Sequence, residues 1–111
     1  SYLTGIVAGA RLKFEGIPII VTGDFNFERS EAAYDAMLAS KDLVDTKPAN
    51  DQTGTYCGFE VGKMECKAID YIFHTKEWTL KNYLVINDND GKYYPSDHLP
   101  VMVELELSPE K

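Results

Sequence analysis

The 111-residue sequence is poor in cysteine, in long apolar runs and in basic residues, and each shortage excludes a class of protein. Two cysteines are too few for a small scaffold held together by disulfides. No apolar run approaches the ~20 residues of a membrane-spanning helix, so we expect no membrane span. Only 11 Lys and Arg oppose 18 Asp and Glu, and the net charge of -7 disfavours broad adhesion to nucleic acid. A phosphate-ester substrate stays open, because a divalent cation can supply positive charge locally.

The two cysteines, Cys57 and Cys66, fall in one expected hairpin with its turn at residues 61–63. A disulfide forms if the turn places them opposite each other, whereas a shift in register separates them. With so few cysteines we favour two reduced thiols. A zinc site is disfavoured further, because no CxxC pair or close histidine accompanies them.

The first residue is Ser1 rather than Met, and residues 1–14 read as a helix without the pattern of a signal peptide. We therefore expect the natural N-terminus to be absent. An export signal upstream stays open, so the sequence leaves the location undecided between cytoplasmic and secreted.

The first part of the chain predicts two helices around a strand. The first helix has an apolar stripe and stops at Gly16. The apolar run of residues 19–21 is typical of a strand covered on both faces, which would deliver Asp24 to its C-terminal end. A second helix is predicted after Ser30, its N-cap, with Glu31 in its first turn. The predicted stripes comprise Leu3, Ile6, Val7, Ala10 and Phe14 in the first helix and Tyr34, Met37 and Leu38 in the second.

The rest of the chain has a β pattern. Residues 43–45 read as a short strand or turn, and four strands are predicted at residues 55–59, 64–73, 78–86 and 100–107. In the last strand the odd-numbered positions 101 to 107 are apolar, which predicts one buried and one wet face. The fold class is therefore α/β, with a mixed, largely antiparallel sheet and flanking helices, in one domain or a piece of one.

Asp24 and Asn26 lie two residues apart just past the predicted strand, where open α/β sheets gather ligands. In an extended chain both side chains point to the same side, so a carboxylate can orient or deprotonate water and an amide can hold it. The alternative is an Asx turn that ends the strand.

A second group of polar residues joins the two last predicted strands. Asp97 can bind a divalent cation or orient water, and His98 can donate to a phosphoryl oxygen. Asp70 is a carboxylate within the apolar run 69–73 and needs a partner, for which His98 is the best candidate. The alternatives are a turn Asp with a surface His, or an Asp70 that caps a backbone group or pairs with Lys67. We expect His74, which no motif supports, to be structural or exposed.

Three motifs in this order resemble the endonuclease/exonuclease/phosphatase superfamily, which has the deoxyribonuclease-I-like fold. They are GDFN at residues 23–26, IDYIF at 69–73 and SDHLPV at 96–101. Between them, GTYCGF at residues 54–59 is similar to a GTFxGF-type segment of bacterial members. The resemblance covers residues 17–107, nearly the whole chain.

The resemblance implies a four-layer α/β sandwich of two packed sheets and a phosphoric ester hydrolase that uses Mg²⁺ or Mn²⁺. Asp24, Asn26, Asp70 and His98 take catalytic positions: Asp24 activates water, Asn26 assists it, Asp70 orients His98, and His98 contacts the phosphate. Asp97, together with Asp24, takes the metal position. The substrate is a phosphodiester or phosphomonoester: a small molecule, a lipid head group or nucleic acid.

The family enzymes are usually more than twice as long as this chain, whose residues 1–111 match the C-terminal portion of a single domain. The N-terminal half would then be a partner, carrying the main metal-binding glutamate that has no counterpart here. We expect the fragment alone to be inactive or nearly so. Ala68 also replaces an arginine that many relatives carry.

Two other functions compete with this interpretation. A non-catalytic binding domain that retained the fold is the main alternative. A flavodoxin-like nucleotide-binding domain is disfavoured, because the β-rich second half lacks alternating βα units.

Overall fold

The computed structural model describes residues 2–108 and contains two helices and five strands there. The domain assigned from the sequence to residues 1–111 therefore includes Ser1 and residues 109–111, which lie outside the described residues. In chain order the elements are α1 (Tyr2–Lys13), β1 (Ile20–Asp24), α2 (Ala32–Ala39), β2 (Val44–Asp45), β3 (Asp70–His74), β4 (Trp78–Val85) and β5 (Val101–Leu107).

The first three strands form an antiparallel sheet in the order β1-β3-β2. The strand β1 was predicted to be central and covered on both faces, and this is wrong for the described residues. It lies at an edge of the sheet, Ile20 is 42% exposed, and Val21 is only partly buried against the core. The central position belongs to β3, which has bonded neighbours on both sides. Apolar composition alone does not distinguish a central strand from an edge strand.

Helix α1 confirms the predicted helix over residues 2–13, one residue short of its predicted end, and Ser1 lies outside the described residues. The chain turns after the helix at Gly16, whose φ is +74°. Its predicted apolar stripe is only partly buried. Val7 is buried and Leu3 packs against the core, while Ile6 and Phe14 are about half exposed. The helix therefore presents a narrow face to the core and a second apolar face outward.

Helix α2 begins one residue later than predicted. Glu31, not Ser30, is the N-cap, and it makes no side-chain capping bond. Its carboxylate instead accepts the backbone N–H of Glu28 at 2.6 Å, because the residues before the helix form their own turn. The predicted stripe is confirmed: Met37 is buried, and Tyr34 and Leu38 pack against the core.

The core lies between the two helices and one face of the three-stranded sheet. Aromatic rings dominate it: Phe25 packs edge-on against Phe73 at 5.5 Å, and Tyr71 stacks on Phe73 at 5.3 Å. The Tyr71 hydroxyl donates to the carbonyl of Phe27 at 2.8 Å, and desolvation raises the pKa of this phenol. The buried cluster comprises Val7, Phe27, Met37, Leu43, Tyr71 and Phe73. Because Tyr71 and Phe73 face this core, Asp70 and Ile72 face the opposite side of β3.

The last two strands, β4 and β5, pair as an antiparallel hairpin with an irregularity between Leu80 and Asn82. In β5 the predicted alternation holds from residue 101 to residue 106, and Leu107 at the end is 50% exposed. Strand β5 also lies against β3. No described helix is both long and apolar enough to cross a bilayer.

The predicted reduced thiols are wrong: Cys57 and Cys66 form a disulfide. Tyr56 and Lys67 pair as a hydrogen-bonded antiparallel bridge, which places the next pair, Cys57 and Cys66, directly opposite with their Cα atoms 4.3 Å apart. Gly54 is required beside this bridge, because a Cβ there would overlap the Cβ of Cys66. The sequence left the register open, and the observed register is the one that permits the disulfide.

The predicted strands around this disulfide are shorter than expected. Within residues 55–59 only Tyr56 forms isolated bridges and there is no strand, and the predicted strand 64–73 begins only at Asp70. Here Tyr56 pairs with both Lys67 and His98. The segment therefore connects the disulfide to the loop that carries the candidate histidine.

Candidate functional site

The two carboxylates of the candidate site meet because of the register between β1 and β3. Asp24 ends β1, Asp70 begins β3, and the two residues are directly opposite each other. Opposed residues of an antiparallel pair point their side chains to the same face. Two acids separated by 46 positions in the sequence thus come together at one edge of the sheet.

The imidazole of His98 lies between these two carboxylates. Its Nδ1 donates to Asp70 Oδ2 at 2.8 Å, since a carboxylate offers no proton in return. Its Nε2 lies 3.6 Å from Asp24 Oδ2, which is too long for a direct hydrogen bond. The contact expected between Asp70 and His98 is therefore present, and Nε2 makes no direct hydrogen bond to Asp24.

The backbone around His98 holds the ring in place. The N–H of His98 donates to the hydroxyl of Ser96 at 3.2 Å, and the N–H of Leu99 donates to the carbonyl of Thr55. Pro100 follows and restrains the conformation of Leu99. The ring of Tyr56 packs against the imidazole, with centroids 5.0 Å apart.

Thr55 is a site residue to which the sequence analysis gave no role. It is fully buried, and its hydroxyl donates to Asp70 Oδ2 at 2.7 Å while it accepts the backbone N–H groups of Ile69 and Asp70, each at 3.1 Å. One donor and two acceptor positions are all that a hydroxyl has. The expected hairpin of residues 55–59 and 64–73 brought Thr55 close to the strand of Asp70, but the partner of its hydroxyl depends on the register, which the sequence left open.

The surrounding carboxylates favour the charged form of His98. Its pKa is raised above 6.5, chiefly by the hydrogen bond to Asp70, against a smaller opposing effect of desolvation. The negative charges of Asp70, Asp24 and Asp97 raise it further. The site thus contains an imidazole whose charged form is favoured and whose Nδ1 is fixed, which suits the donation of a hydrogen bond from Nε2 to an anionic oxygen.

Asp24 and Asn26 do not form the extended pair that their spacing suggested. Asn26 has a φ of +56°, a left-handed conformation that asparagine tolerates, and its N–H donates to Asp24 Oδ1 at 2.9 Å. This is the Asx turn that the sequence analysis held as the alternative. The turn uses only Oδ1, however, and Oδ2 of Asp24 faces His98.

Asp97 lies beside the group rather than within it. The carboxylate oxygens of Asp24 and Asp70 and a ring nitrogen of His98 lie within 4.8 Å of one another, and among the described residues this group does not include Asp97. The Asp97 carbonyl accepts the N–H of Cys57 at 3.0 Å, and its carboxylate acts on the charge of His98.

The donor set fits a cation in part. The imidazole and Asp70 Oδ2 are already engaged with each other, which leaves carboxylate oxygens, led by Asp24 Oδ2, as the donors. Oxygen donors of this kind are those that Mg²⁺ and Mn²⁺ prefer. The described residues therefore contain a possible Asp-Asp-His cation site in which oxygen atoms are the more accessible ligands.

A cavity of about 530 Å³ opens over this group, and we call it the histidine cavity. Asp24, Asp70 and His98 line its polar side, and Ile72 and Val101 line its apolar side. His74, by contrast, is buried, with Nδ1 2.8 Å from the carbonyl of Thr75. It is structural, as the sequence analysis expected.

Comparison with solved structures shows what this fold is similar to. An endonuclease/exonuclease/phosphatase family protein from Bacteroides thetaiotaomicron matches with a TM-score of 0.76 and 29% identity, over 90% of this chain and 41% of that protein. A mannosyl-6-phosphatase from the same species matches with a TM-score of 0.78 and 27% identity, over 96% and 44%. An endonuclease/exonuclease/phosphatase from Bacteroides vulgatus matches with a TM-score of 0.71 and 27% identity, over 93% and 41%.

The chain spans less than half the length of these structures. Its antiparallel sheets and two helices match the C-terminal half of the deoxyribonuclease-I-like α/β sandwich. No curated protein matches the chain significantly. The sequence model of the family described as Endonuclease/Exonuclease/phosphatase matches residues 5–98, which include Asp24, Asp70 and His98. The chain therefore belongs to the endonuclease/exonuclease/phosphatase family.

Proposed function

We propose that this chain carries the histidine side of the active site of a divalent-metal-dependent phosphoesterase. The observation that carries the proposal is one imidazole with two acidic neighbours: His98 donates from Nδ1 to Asp70 and turns Nε2 toward Asp24. Asp70 fixes the tautomer and favours the imidazolium, so Nε2–H can donate to a phosphoryl oxygen as negative charge develops there. Asp24 orients or deprotonates the attacking water, and Asn26 assists through its amide.

We assign Mg²⁺ or Mn²⁺ as the cofactor, with the carboxylate of Asp24 as the main ligand from this chain. Asp97 is proposed as a second ligand on the family resemblance alone, since it lies outside the group of Asp24, Asp70 and His98. Asp70 is assigned to His98 instead, because its Oδ2 already accepts from Thr55 and from the imidazole. Mg²⁺ is commonly bound by one or two protein carboxylates together with water and phosphate oxygens. When bound, the cation neutralises the charge of the phosphate group.

The substrate class that we propose is a small phosphorylated metabolite. The net charge of -7 opposes a nucleic-acid backbone, and one similar structure is a mannosyl-6-phosphatase. A phosphomonoester of a sugar is therefore the first substrate to test, with a phosphodiester as the comparison.

Because the chain spans less than half of these similar structures, we further propose that residues 1–111 are the C-terminal portion of a single domain. An N-terminal half would then supply the remaining metal ligands, a glutamate among them. On this view the 111 residues alone hydrolyse slowly or not at all.

The test is hydrolysis of bis-p-nitrophenyl phosphate and mannose 6-phosphate by the full-length polypeptide that contains this chain. We expect activity that requires Mg²⁺ or Mn²⁺, that EDTA abolishes and that added metal restores. His98→Ala should lower kcat by about 100-fold or more. The control is Asp35→Asn, an exposed acid of α2, which should leave kcat unchanged. A folded full-length polypeptide without activity on either ester would contradict the proposal and favour a non-catalytic binding domain.

A further inference from the structure

We propose that a cleft at the turn before His98 binds the hexose ring of a sugar phosphate whose phosphate lies in the histidine cavity. We call it the tyrosine cleft. It has a volume of about 380 Å³ and is lined by Asp88, Asn89, Asp90, Tyr93, Tyr94 and Pro95. The inference rests on the proposed function and adds to it a place for the alcohol half of the substrate.

The tyrosine cleft and the histidine cavity each share lining residues with a third, smaller cavity of about 90 Å³. Asp88 and Pro95 line both this smaller cavity and the tyrosine cleft, while Ser96 and His98 line both the smaller cavity and the histidine cavity. A ligand with its phosphate at His98 can therefore extend its alcohol portion past Pro95 toward the tyrosines.

The side chains of the cleft have the chemistry that a pyranose ring needs. A pyranose has hydroxyl groups at its edge and C–H groups on its faces, so it pairs with aromatic rings flanked by hydrogen-bonding groups. Tyr93 is 43% exposed and offers such a ring, and Tyr94 and Pro95 extend the apolar surface. Asp88 and Asn89 offer carboxylate and amide groups to the hydroxyls.

The cleft is built on a rigid turn. Asp90 Oδ1 accepts the backbone N–H groups of Lys92 and Tyr93 at 2.9 and 2.7 Å, and the N–H of Tyr94 donates to the carbonyl of Phe59 at 2.8 Å. The Lys92 ammonium lies 5.2 Å from the centroid of the Tyr93 ring. A preformed site loses less conformational entropy when it binds a small ligand.

The charge of the cleft favours a neutral sugar over a strand of nucleic acid. Asp88 and Asp90 are both exposed there and outnumber Lys92 of the same turn, so the turn offers excess negative charge to the phosphates that flank a scissile bond in DNA or RNA. Like charges in such a position weaken binding. A hexose phosphate carries no charge beyond its single phosphate group, which the histidine cavity would hold.

The experiment is an amide NMR titration of the full-length polypeptide that contains this chain, with Mg²⁺ present. Inorganic phosphate should shift the amide signals of Asp24, Asp70 and His98 only. Mannose 6-phosphate should shift these and the signals of residues 88–94. Tyr93→Ala should weaken the affinity for mannose 6-phosphate about 3- to 10-fold and leave that for inorganic phosphate unchanged.

Two further variants sharpen the test. Tyr93→Phe keeps the ring and should retain most of the affinity for mannose 6-phosphate. Phe14→Ala removes a similarly exposed aromatic ring just after α1, at a position far from Tyr93 in the sequence. It should change the affinity for neither mannose 6-phosphate nor inorganic phosphate. The inference would be overturned if the Tyr93→Ala and wild-type polypeptides bound mannose 6-phosphate equally well and the signals of residues 88–94 did not shift. Binding of phosphate at His98 would still support the proposed function in that case. If neither inorganic phosphate nor mannose 6-phosphate shifts the amide signal of His98, the proposed function fails and the inference fails with it.

Discussion

At the scale of single residues, the pKa of His98 is raised by carboxylates that belong to two strands and to its own loop. Asp70 accepts the Nδ1 proton, and Asp24 and Asp97 add negative potential around the ring. Thr55 prevents Asp70 from turning away, because its hydroxyl is bonded to the same carboxylate oxygen. The imidazole is therefore oriented, and its charged form is favoured, before any ligand binds.

Replacement of Asp70 tests this directly. Because the hydrogen bond to Asp70 is the largest cause of the raised pKa, Asp70→Asn should lower the pKa of His98 toward 6.5. The measurement is an NMR pH titration of the His98 ring protons in metal-free protein. Asp35→Asn, on the exposed side of α2, is the matched control and should leave the titration unchanged. A His98 pKa that does not move in Asp70→Asn would show that another group holds the proton.

The sequence predicted the pair of Asp70 and His98 for a physical reason. A carboxylate within an apolar run is costly without a partner, and His98 was the most economical candidate, with Lys67 as an alternative. Asn26 was predicted less well, because whether two residues two apart share a face depends on φ, and Asn26 is left-handed. Thr55 received no role, since an ordinary threonine carries no sign of its partner until the pairing register is known.

At the scale of elements, the segment of residues 55–57, which includes the disulfide cysteine Cys57, supports the loop of residues 97–99. Cys57 donates its N–H to the Asp97 carbonyl, Thr55 accepts the N–H of Leu99, and Tyr56 packs on His98. Three successive residues of one segment thus contact three successive residues of the other. The bridge to Cys66 restrains this segment from its opposite side.

Loss of the disulfide should therefore destabilise the protein. The closed loop spans a sequence separation of 9, and the chain-entropy relation for so short a loop gives about 2.5 kcal/mol in the free energy of unfolding. Urea unfolding with and without reductant measures this difference. The Cys57→Ser/Cys66→Ser double variant should unfold at the same urea concentration in both conditions. If reductant leaves the midpoint of the wild-type protein unchanged, the bridge does not stabilise the fold.

The two strands of the final hairpin were the elements that the sequence predicted best, since both end within one residue of the predicted bounds. In β5 an apolar and a polar face give a clear period of two. The position of β1 in the sheet and the short bridges of residues 55–59 were not foreseen. Both depend on which neighbours pair with a strand, and that is decided by tertiary contacts rather than by local pattern.

At the scale of the whole molecule, one partly buried ion pair connects the first helix to the last hairpin. Arg11 of α1 donates to both carboxylate oxygens of Glu77, just before β4, at 2.7 and 2.9 Å. The guanidinium also lies near Asp42, with 3.7 Å between the closest atoms. The hydrogen bond from Arg11 lowers the pKa of Glu77 to about 2. This bidentate contact thus joins two distant parts of the described chain.

The shift of Glu77 predicts how stability depends on pH. Its pKa falls from an ordinary value of 4.5 to about 2 in the folded protein, so this contribution is complete above about pH 4.5 and is lost as the pH falls toward 2. Glu77→Gln should lower the free energy of unfolding by about 1–2 kcal/mol at neutral pH, with a smaller difference in acid. Urea unfolding across this range measures it, with exposed Glu15→Gln as the control. A difference that stays constant from neutral pH to pH 2 would contradict the assignment.

The family and the α/β class were predictable at this scale because three ordered motifs and a β-rich second half are both visible in the sequence. The disulfide was not, because two cysteines allow either outcome until the register is fixed. The same holds for the tyrosine cleft, whose connection to His98 arises only from the folded path of residues 86–100.

We expect His98 and Asp70 to act as one unit on a phosphate ester. The most direct measurement is a double-mutant cycle on kcat with His98→Ala, Asp70→Asn and both together, in the longer polypeptide of which we propose this chain to be a part. Residues that act as a unit are not additive, so we expect the double variant to be no slower than His98→Ala alone. Losses that multiply in the double variant would show that the two residues act independently and would contradict the account.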